Sequence, residues 1–309
     1  MSVVLNTYKK NFLKRFDKDD AIPYLSYKDF PNLTCEENNF INSVGVELKY
    51  FVYHYDQYQK DKVILFCHGI GPGHAAYMRE IEYLCSHGYK VITLDYTGCG
   101  ASQGETLLSI NEPTRDVIEL LNLLNIQEEI VLIGHSLGGY TALNVINKIN
   151  FIHKAVIISG FISTKYLVKG FIKLDLLGEP VVKYEQKMVP EYANINNIEY
   201  LKTTTDKLLF IHSKDDPMVN PEYSIDIIRK IDNPNLSFLI ENDKKHNPNY
   251  TKEAVGFMNE SIGVYQKLLS KNKLDTLEKR KEYFKNKTAW KMTEQDDKVW
   301  EEILSFINK

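Results

Sequence analysis

Short apolar runs alternate with longer amphipathic segments through the middle of the chain. The runs are rich in β-branched residues and end at polar or glycine positions, which is typical of buried strands. They occupy residues 63–67, 91–94, 130–133, 155–158, 208–211 and 236–240. The apolar spacing between the runs predicts helices over 75–87, 111–125, 137–149, 221–231 and roughly 250–270. Before the first run, residues 38–41 and 46–53 flank a turn and predict a hairpin.

This alternation of strands and helices implies right-handed crossovers and a mainly parallel sheet. The strands are almost continuously apolar, so both faces of the sheet must be covered. The pattern therefore predicts an α/β fold with a mainly parallel central sheet of about eight strands and helices on both faces.

The alternating region indicates one main domain over residues 37–270, with a segment before it, a segment after it and one insertion inside it. Residues 1–36 are a lead-in that contains a helix, and residues 271–309 are a helical extension. Within the main domain, residues 161–206 show no clear strand, which predicts a short helical lid lining an acyl pocket or, alternatively, an ordinary pair of packing helices. The apolar residues of this insertion are Phe161, Ile162, Tyr166, Leu167, Val168, Phe171, Ile172, Leu174, Leu176 and Leu177.

The extension ends in an apolar stripe at helical spacing, which follows an expected cap at Thr293 to Asp296. We expect it to pack on the body of the protein or on a second subunit, so a homo-oligomer is possible. The stripe is formed by Val299, Trp300, Ile303, Leu304 and Ile307.

Composition narrows the functional classes. The 309 residues are 43% hydrophobic and 26% charged, as in ordinary globular proteins. The net charge of −3 does not indicate the positive surface that binds nucleic acid, so no nucleic-acid partner is expected. No apolar run resembles a signal peptide or reaches the ~20 residues of a membrane span, so we expect a cytoplasmic protein without stable membrane insertion.

The four cysteines lie scattered, without the spacing of a metal site. We therefore expect reduced thiols. Cys67 and Cys85 are expected in the core, and Cys99, in a glycine turn, is expected to be accessible.

The candidate chemistry centres on Gly134-His-Ser136-Leu-Gly138, which stands between a predicted strand and a predicted helix. Gly-x-Ser-x-Gly in that context is typical of a nucleophile elbow, where a tight turn lifts a serine hydroxyl above the sheet. Glycines two positions either side of Ser136 leave room for the crossing strand and helix. Ser136 is therefore the candidate nucleophile.

A serine nucleophile needs a base and an orienting acid, which in this context follow in the order Ser, acid, His. His246 fits as the base; the alternative is a surface histidine in a charged loop. His212 is a weaker candidate because it precedes the acid. Asp215 and Asp216 both follow a strand, and we favour Asp216 because Pro217 restricts its backbone and Val219 can anchor the loop. The alternative is a polar turn capped by aspartate.

The oxyanion hole needs two backbone N–H groups. We expect them from Leu137, directly after the nucleophile, and from Ile70 in the glycine-rich loop 68–74. That loop lacks the signatures of phosphate binding, and no metal-binding motif is present, so no cofactor and no metal are expected. His68 is expected to brace the loop.

The chain resembles the α/β-hydrolase fold family, and particularly its serine esterases, lipases and related peptidases. The matching pieces occur in the family's order over residues 37–270: His68-Gly69, Asp95 to Ser102, Gly134 to Gly139, Ser213 to Val219, and His246. The resemblance implies that Ser136 is the nucleophile, Asp216 the acid and His246 the base. It also implies that Asp95 and residues 98–102 form a structural turn. Two features depart from the family: Ser213 replaces the usual glycine, and residues 271–309 extend beyond the usual last helix.

These observations predict a serine hydrolase that cleaves a small carboxylic ester with an apolar group through an acyl-enzyme. A peptidase, a thioesterase or an acyltransferase would use the same triad and stays open. A non-catalytic binding protein on this fold is a further alternative.

Overall fold

The computed structural model describes residues 3–59, 61–171 and 175–309, and for residues 175–177 it describes the backbone only. Ile172, Leu174, Leu176 and Leu177, which the sequence places in the insertion, therefore lie outside the described side chains. Among the described residues, no helix combines the length and apolar composition needed to cross a membrane.

A single sheet of eight strands, in the order β1-β2-β4-β3-β5-β6-β7-β8, forms the centre of the described structure. The first two strands form the predicted hairpin, β2 pairs antiparallel with β4, and all later pairs are parallel. The predicted fold class is therefore confirmed. The strands are β1 Thr34–Ile41, β2 Glu47–His54, β3 Lys62–Cys67, β4 Lys90–Leu94, β5 Glu129–His135, β6 Lys154–Ile158, β7 Lys207–Ser213 and β8 Leu236–Glu241.

Helices surround this sheet. They are α1 Val3–Phe12, α2 Met78–Ser86, α3 Glu112–Leu124, α4 Leu137–Lys148, α5 Thr164–Phe171, α6 Asp175–Met188, α7 Pro190–Ala193, α8 Asn197–Thr203, α9 Ile225–Ile228, α10 Lys252–Ser270, α11 Leu277–Phe284, α12 Ala289–Met292 and α13 Asp297–Asn308. The helix predicted over 221–231 is wrong in its length. Its first turn is a 3₁₀ turn, and Ser224, with φ −138° and ψ −98°, separates that turn from α9.

The strand residues alternate between two cores, one on each face of the sheet. In β3, Val63 and Leu65 join the core under α3 and α4, whereas Ile64 and Phe66 join the core under α2 and α13. Near-complete burial of these positions explains the continuous apolar runs of the sequence.

The C-terminal stripe packs on the body of the same chain. Val299, Trp300, Ile303 and Ile307 are buried in the core that contains α2. The cap of the last helix is at Asp296 and not at Thr293. Thr293 ends α12, and Asp296 caps α13 by accepting a hydrogen bond from the Lys298 N–H.

The described part of the chain between β6 and β7 contains the four helices α5 to α8, joined by short loops. On the same side, α1 of the lead-in packs beside α5 and α6: the ring of Phe12 lies 5.9 Å from that of Phe171. One cysteine expectation is wrong: Cys99 is buried, because the turn that carries it is covered by residues 15 and 16 of the lead-in.

Candidate active site

Ser136 occupies a strained turn between β5 and α4. Its backbone has φ 57° and ψ −117°, a conformation that L-residues rarely adopt. Glycine is required at positions 134 and 138 because neighbouring backbone atoms approach both Cα atoms too closely to leave room for a Cβ. A Cβ at Gly134 would lie 2.1 Å from the carbonyl oxygen of Gly138, and one at Gly138 would lie 1.9 Å from that of Cys67. The turn therefore has the geometry that its sequence pattern predicts.

His246 and Asp216 are directly hydrogen-bonded. The His246 Nδ1 lies 2.8 Å from the Asp216 Oδ2, and the Asp216 Oδ1 accepts from the backbone N–H groups of Met218 and Val219, at 2.8 and 3.0 Å. Burial acts to raise the pKa of Asp216, but the hydrogen bond and charge of His246 outweigh it and lower the pKa below its usual value. An ionised Asp216 accepts a hydrogen bond from the Nδ1–H of His246, which leaves the Nε2 of a neutral His246 as a proton acceptor.

Asp215 points elsewhere. It accepts from the Ser213 hydroxyl at 2.5 Å and pairs with the Lys245 ammonium at 3.0 Å. Partial burial opposes the shift, but these contacts lower the pKa of Asp215 to about 2. Ser213, which replaces the glycine that the resemblance implies, therefore forms a hydrogen bond with Asp215, whereas Asp216 forms the one with His246.

His212 lies behind Asp216. Its Nε2 donates to the Val219 carbonyl at 2.9 Å and lies 3.4 Å from the Asp216 Oδ2. Burial lowers the pKa of His212, so the ring is neutral near pH 7. Its geometry supports the Asp216 loop, and His212 is absent from the described lining of the cavity that Ser136 and His246 share.

His135 connects three loops around Ser136. Its Nε2 donates to the backbone carbonyl of His246 at 2.7 Å, so its Nδ1 is unprotonated and accepts from the Tyr77 hydroxyl at 2.9 Å. The Tyr77 oxygen accepts from the Gly69 N–H at 3.0 Å. Burial, with the nearby His246, lowers the pKa of His135 to about 3, which keeps the ring in this neutral form. A continuous chain of hydrogen bonds thus joins the glycine-rich loop to the backbone of His246.

Ile70 and Leu137, the expected oxyanion donors, both line the cavity beside Ser136. Leu137 is the first residue of α4, so its N–H has no acceptor within the helix. His68 braces the loop as expected: its Nδ1 donates to the Gly69 carbonyl at 2.7 Å and its Nε2 accepts from the Tyr96 N–H. Burial lowers the pKa of His68 to about 4.

Asp95 joins two glycine-rich turns below the site. Its Oδ1 accepts from the N–H and Nδ1–H of His74, at 2.7 and 2.9 Å, and its Oδ2 accepts from the Ala101 N–H at 2.8 Å. A Cβ at Gly73 or Gly100 would collide with this carboxylate. Asp95 therefore has the structural arrangement that the resemblance implies.

An apolar cavity of about 720 Å³ opens beside Ser136 and His246. Among the described residues that line it, none has an acidic side chain. The other lining residues come from α1, the glycine-rich loop, the loop before α3, the start of α4, the loop after β6, α5, α6 and the loop after β7: Val3, Val4, Thr7, Tyr8, Asn11, Phe12, Ile70, Ile110, Leu137, Phe161, Leu167, Val168, Phe171, Val181, Met218 and Val219. In the described part of the chain, no cluster of three His, Cys, Asp or Glu side chains has the arrangement of a metal site.

Sequence reasoning missed two features of this region. The lead-in helix α1 contributes six of the lining residues, although its apolar spacing at Val4, Tyr8 and Phe12 was a signal that could have been used. The second feature is a clamp from the extension to the His246 loop. The buried Lys244 ammonium lies 2.6 Å from the Asp296 carboxylate and 3.1 Å from the Pro248 carbonyl.

Comparison with known proteins gives one family match. The family described as serine aminopeptidase, S33, matches residues 58–231, which is more than half of the chain. The matched residues include Ser136 and Asp216, and they end before His246.

Curated relatives cover only parts of the chain. A putative methylesterase 14 of Arabidopsis thaliana is 32% identical over 25% of this chain and 23% of its own length. An epoxide hydrolase of Caballeronia sordidicola is 28% identical over 38% of this chain and 36% of its own. A proline iminopeptidase of Saccharolobus solfataricus is 28% identical over 58% of this chain and 57% of its own. The matched region thus spans between about a quarter and just over half the length of these relatives.

Solved structures share the fold over a larger part of the chain. An esterase of Pyrococcus furiosus superposes with a TM-score of 0.56 at 20% identity, over 84% of this chain and 98% of that one. The ferulic-acid-bound esterase Est1E of Butyrivibrio proteoclasticus superposes with a TM-score of 0.56 at 16% identity, over 72% of this chain and 98% of that one. At these identities the likeness shows the fold alone.

Proposed function

Because the chain belongs to the serine aminopeptidase S33 family of α/β-hydrolases, and is thus a member of a hydrolase family, we propose that it hydrolyses a carboxylic ester with an apolar acyl group. The reaction passes through an acyl-enzyme on Ser136. The observation that carries this proposal is the 2.8 Å hydrogen bond between Asp216 and His246, together with the lining of one cavity by both His246 and Ser136.

In this mechanism the Nε2 of His246 removes the proton of the Ser136 hydroxyl as its Oγ attacks the ester carbonyl. Asp216 stabilises the imidazolium that forms and keeps the proton on Nδ1. The N–H groups of Leu137 and Ile70 donate to the oxyanion. His246 then protonates the departing alkoxide, and the alcohol leaves.

Deacylation repeats the same steps with water as the nucleophile. His246 takes a proton from the water as its oxygen attacks the acyl carbonyl, and then returns that proton to the Oγ of Ser136. The products are one alcohol and one carboxylic acid, and the free enzyme is regenerated.

The cavity supports an apolar ester over an aminopeptidase substrate. An aminopeptidase must bind the free ammonium group of its substrate, and burying that charge without a carboxylate partner is costly. None of the described lining residues has an acidic side chain. Two acidic side chains contact lining residues from behind and are already paired. Asp216 is hydrogen-bonded to His246, and the buried Glu185 accepts from Tyr8, Ser109 and Asn111.

The test combines a fluorophosphonate probe with a substrate panel. We expect the probe to label the protein at Ser136 and not to label Ser136→Ala. The panel contains p-nitrophenyl esters of rising chain length, an acyl thioester and an amino-acid anilide, and we expect the esters to give the highest kcat/KM. Equal ester hydrolysis by the Ser136→Ala variant would refute the mechanism, and a higher kcat/KM for the anilide or thioester would refute the substrate class.

A further inference from the structure

The lead-in helix α1 forms part of the cavity wall, although it lies outside the residues that match the family. The spacing of its apolar positions explains how. Val4, Tyr8 and Phe12 recur every four residues and so lie on one face of the helix. Phe12 and Tyr8 stack with their ring centroids 5.2 Å apart, and both side chains line the cavity.

A buried hydrogen-bond network fixes α1 to α6 and to the helix that carries the nucleophile turn. The Tyr8 hydroxyl donates to the Glu185 carboxylate at 2.9 Å, and Asn111 donates to the same carboxylate at 2.8 Å. Asn111 also accepts from the Tyr140 hydroxyl at 2.7 Å. Tyr140 belongs to α4, so the position of α1 is linked to the helix that begins directly after Ser136.

The chain directly after α1 is anchored independently. The Arg15 guanidinium donates to three backbone carbonyls, those of Gly100, Ser102 and Gly104, at 3.0, 3.0 and 2.7 Å. An isolated helix of ten residues is only marginally stable in water, so α1 owes its order to these contacts and to its packing on α5 and α6.

We propose that α1 is a specificity element, in which Val4 and Phe12 limit the length of the apolar chain that the cavity accepts. The inference deepens the proposed function and rests on it for the position of the reacting carbonyl at Ser136. An apolar chain that fills the cavity contacts both α1 and the side chains of α5, because the two helices line the same space. Each methylene that reaches this wall is removed from water, which corresponds to about a fourfold gain in affinity.

The test measures binding, so that it does not depend on hydrolysis. The probes are uncharged 1-alkanols from butanol to dodecanol, which displace Nile red from the full-length protein. The variants are Val4→Phe and Val4→Trp, which narrow the cavity by increasing amounts, and the matched control is Lys10→Trp on the exposed face of α1.

For the unmodified protein and for Lys10→Trp, we expect affinity to rise with chain length and then to level off. For Val4→Trp, we expect it to level off at a shorter chain, with at least about tenfold weaker binding of dodecanol and unchanged binding of butanol. Val4→Phe should lie between them. Identical profiles for the Val4 variants and Lys10→Trp would overturn the proposal.

A parallel measurement separates this inference from the proposed function. Failure of the fluorophosphonate probe to label Ser136 would refute the hydrolase mechanism, while the alkanol profiles would still decide the role of α1. If the protein hydrolyses p-nitrophenyl esters, the preferred acyl length must shorten in Val4→Trp in parallel with the alkanols. A shorter alkanol limit with an unchanged ester preference would mean that acyl chains do not reach α1, and would also overturn the proposal.

Discussion

The Nε2 of His135 donates to the backbone carbonyl of His246 over 2.7 Å, so the residue before the candidate nucleophile holds the loop of the candidate base. The other ring nitrogen accepts from Tyr77, whose oxygen accepts from the Gly69 N–H. One chain of hydrogen bonds therefore joins the glycine-rich loop, the turn of the candidate nucleophile Ser136 and the loop of the candidate base His246.

We predict that Tyr77→Phe lowers kcat by about tenfold with little change in KM. The substitution leaves the Gly69 N–H and the His135 Nδ1 without their partner, and an unsatisfied buried polar group costs about 1–3 kcal/mol. Ester hydrolysis kinetics measure the effect. The control is Tyr83→Phe, since the Tyr83 hydroxyl makes an exposed hydrogen bond to Asp297. Equal kcat values for the two variants would contradict a positioning role for Tyr77.

The two neighbouring aspartates give a direct test of the proposed acid. We expect Asp216→Asn to lower kcat/KM by about 10³–10⁴-fold, because an amide cannot stabilise the imidazolium or select the productive tautomer of His246. Among the described residues, Asp215 contacts Ser213 and Lys245, so we expect Asp215→Asn to lower kcat/KM by no more than a few-fold. A larger loss from Asp215→Asn would reverse the assignment.

The central sheet could be predicted from the sequence, because its strands are buried on both faces and therefore appear as uninterrupted apolar runs. The sequence was also sufficient to nominate Ser136, Asp216 and His246, because a tight turn imposes glycines at fixed spacing and the fold imposes an order on the partners. The roles of these residues remain predictions until the kinetic tests are made.

Side-chain contacts between distant segments could not be predicted in the same way. The hydrogen bond of Tyr8 to Glu185 joins residues 177 positions apart, and the pairing of Lys244 with Asp296 joins residues 52 positions apart. Neither pair has a local pattern, because nothing in the spacing of a buried polar residue specifies which distant partner satisfies it. For the same reason the apolar face of α1 was recognisable as a helix face, while the surface that it covers was not.

The clamp between the extension and the His246 loop leads to a prediction on stability. Asp296→Asn removes the carboxylate that lies 2.6 Å from the buried Lys244 ammonium. The Glu241 carboxylate, 3.2 Å from the same ammonium, remains. We expect the free energy of unfolding to fall by about 2 kcal/mol, as when a hydrogen bond to a charged group is lost, since Glu241 still compensates part of the buried charge. We expect kcat to fall as well, because His246 lies two residues from Lys244.

Urea unfolding followed by tryptophan fluorescence measures this change. The matched control is Asp243→Asn, which breaks the exposed pair of Asp243 and Lys252 in the same segment and should change stability by less than about 1 kcal/mol. Indistinguishable urea midpoints for Asp296→Asn and Asp243→Asn would show that the extension does not support the His246 loop.

Glu80 gives a prediction on pH. Its side chain is 2% exposed and accepts from the Asn249 amide at 3.3 Å, and burial raises its pKa to about 7 despite the hydrogen bonds that oppose the shift. The folded protein therefore holds a proton on Glu80 that the unfolded chain releases near pH 4.5. The tighter binding of this proton stabilises the folded state fully below pH 4.5, and the stabilisation is lost as the pH rises through about 7. The pKa shift from 4.5 to about 7 corresponds to about 3 kcal/mol of unfolding free energy.

Glu80→Gln keeps the shape of the side chain and cannot ionise, so it should lose this pH dependence. The buried histidines act in the opposite direction. The pKa values of His68 and His135 are lowered to about 4 and about 3, so their contribution is present above the unfolded pKa and is lost as the pH falls. Both histidines are present in the unmodified protein and in Glu80→Gln, so their effect cancels when the unfolding free energies of the two proteins are subtracted. We expect the variant to gain relative stability from pH 5 to pH 8 in urea unfolding, and a difference that stays constant across this range would show that Glu80 is ionised throughout.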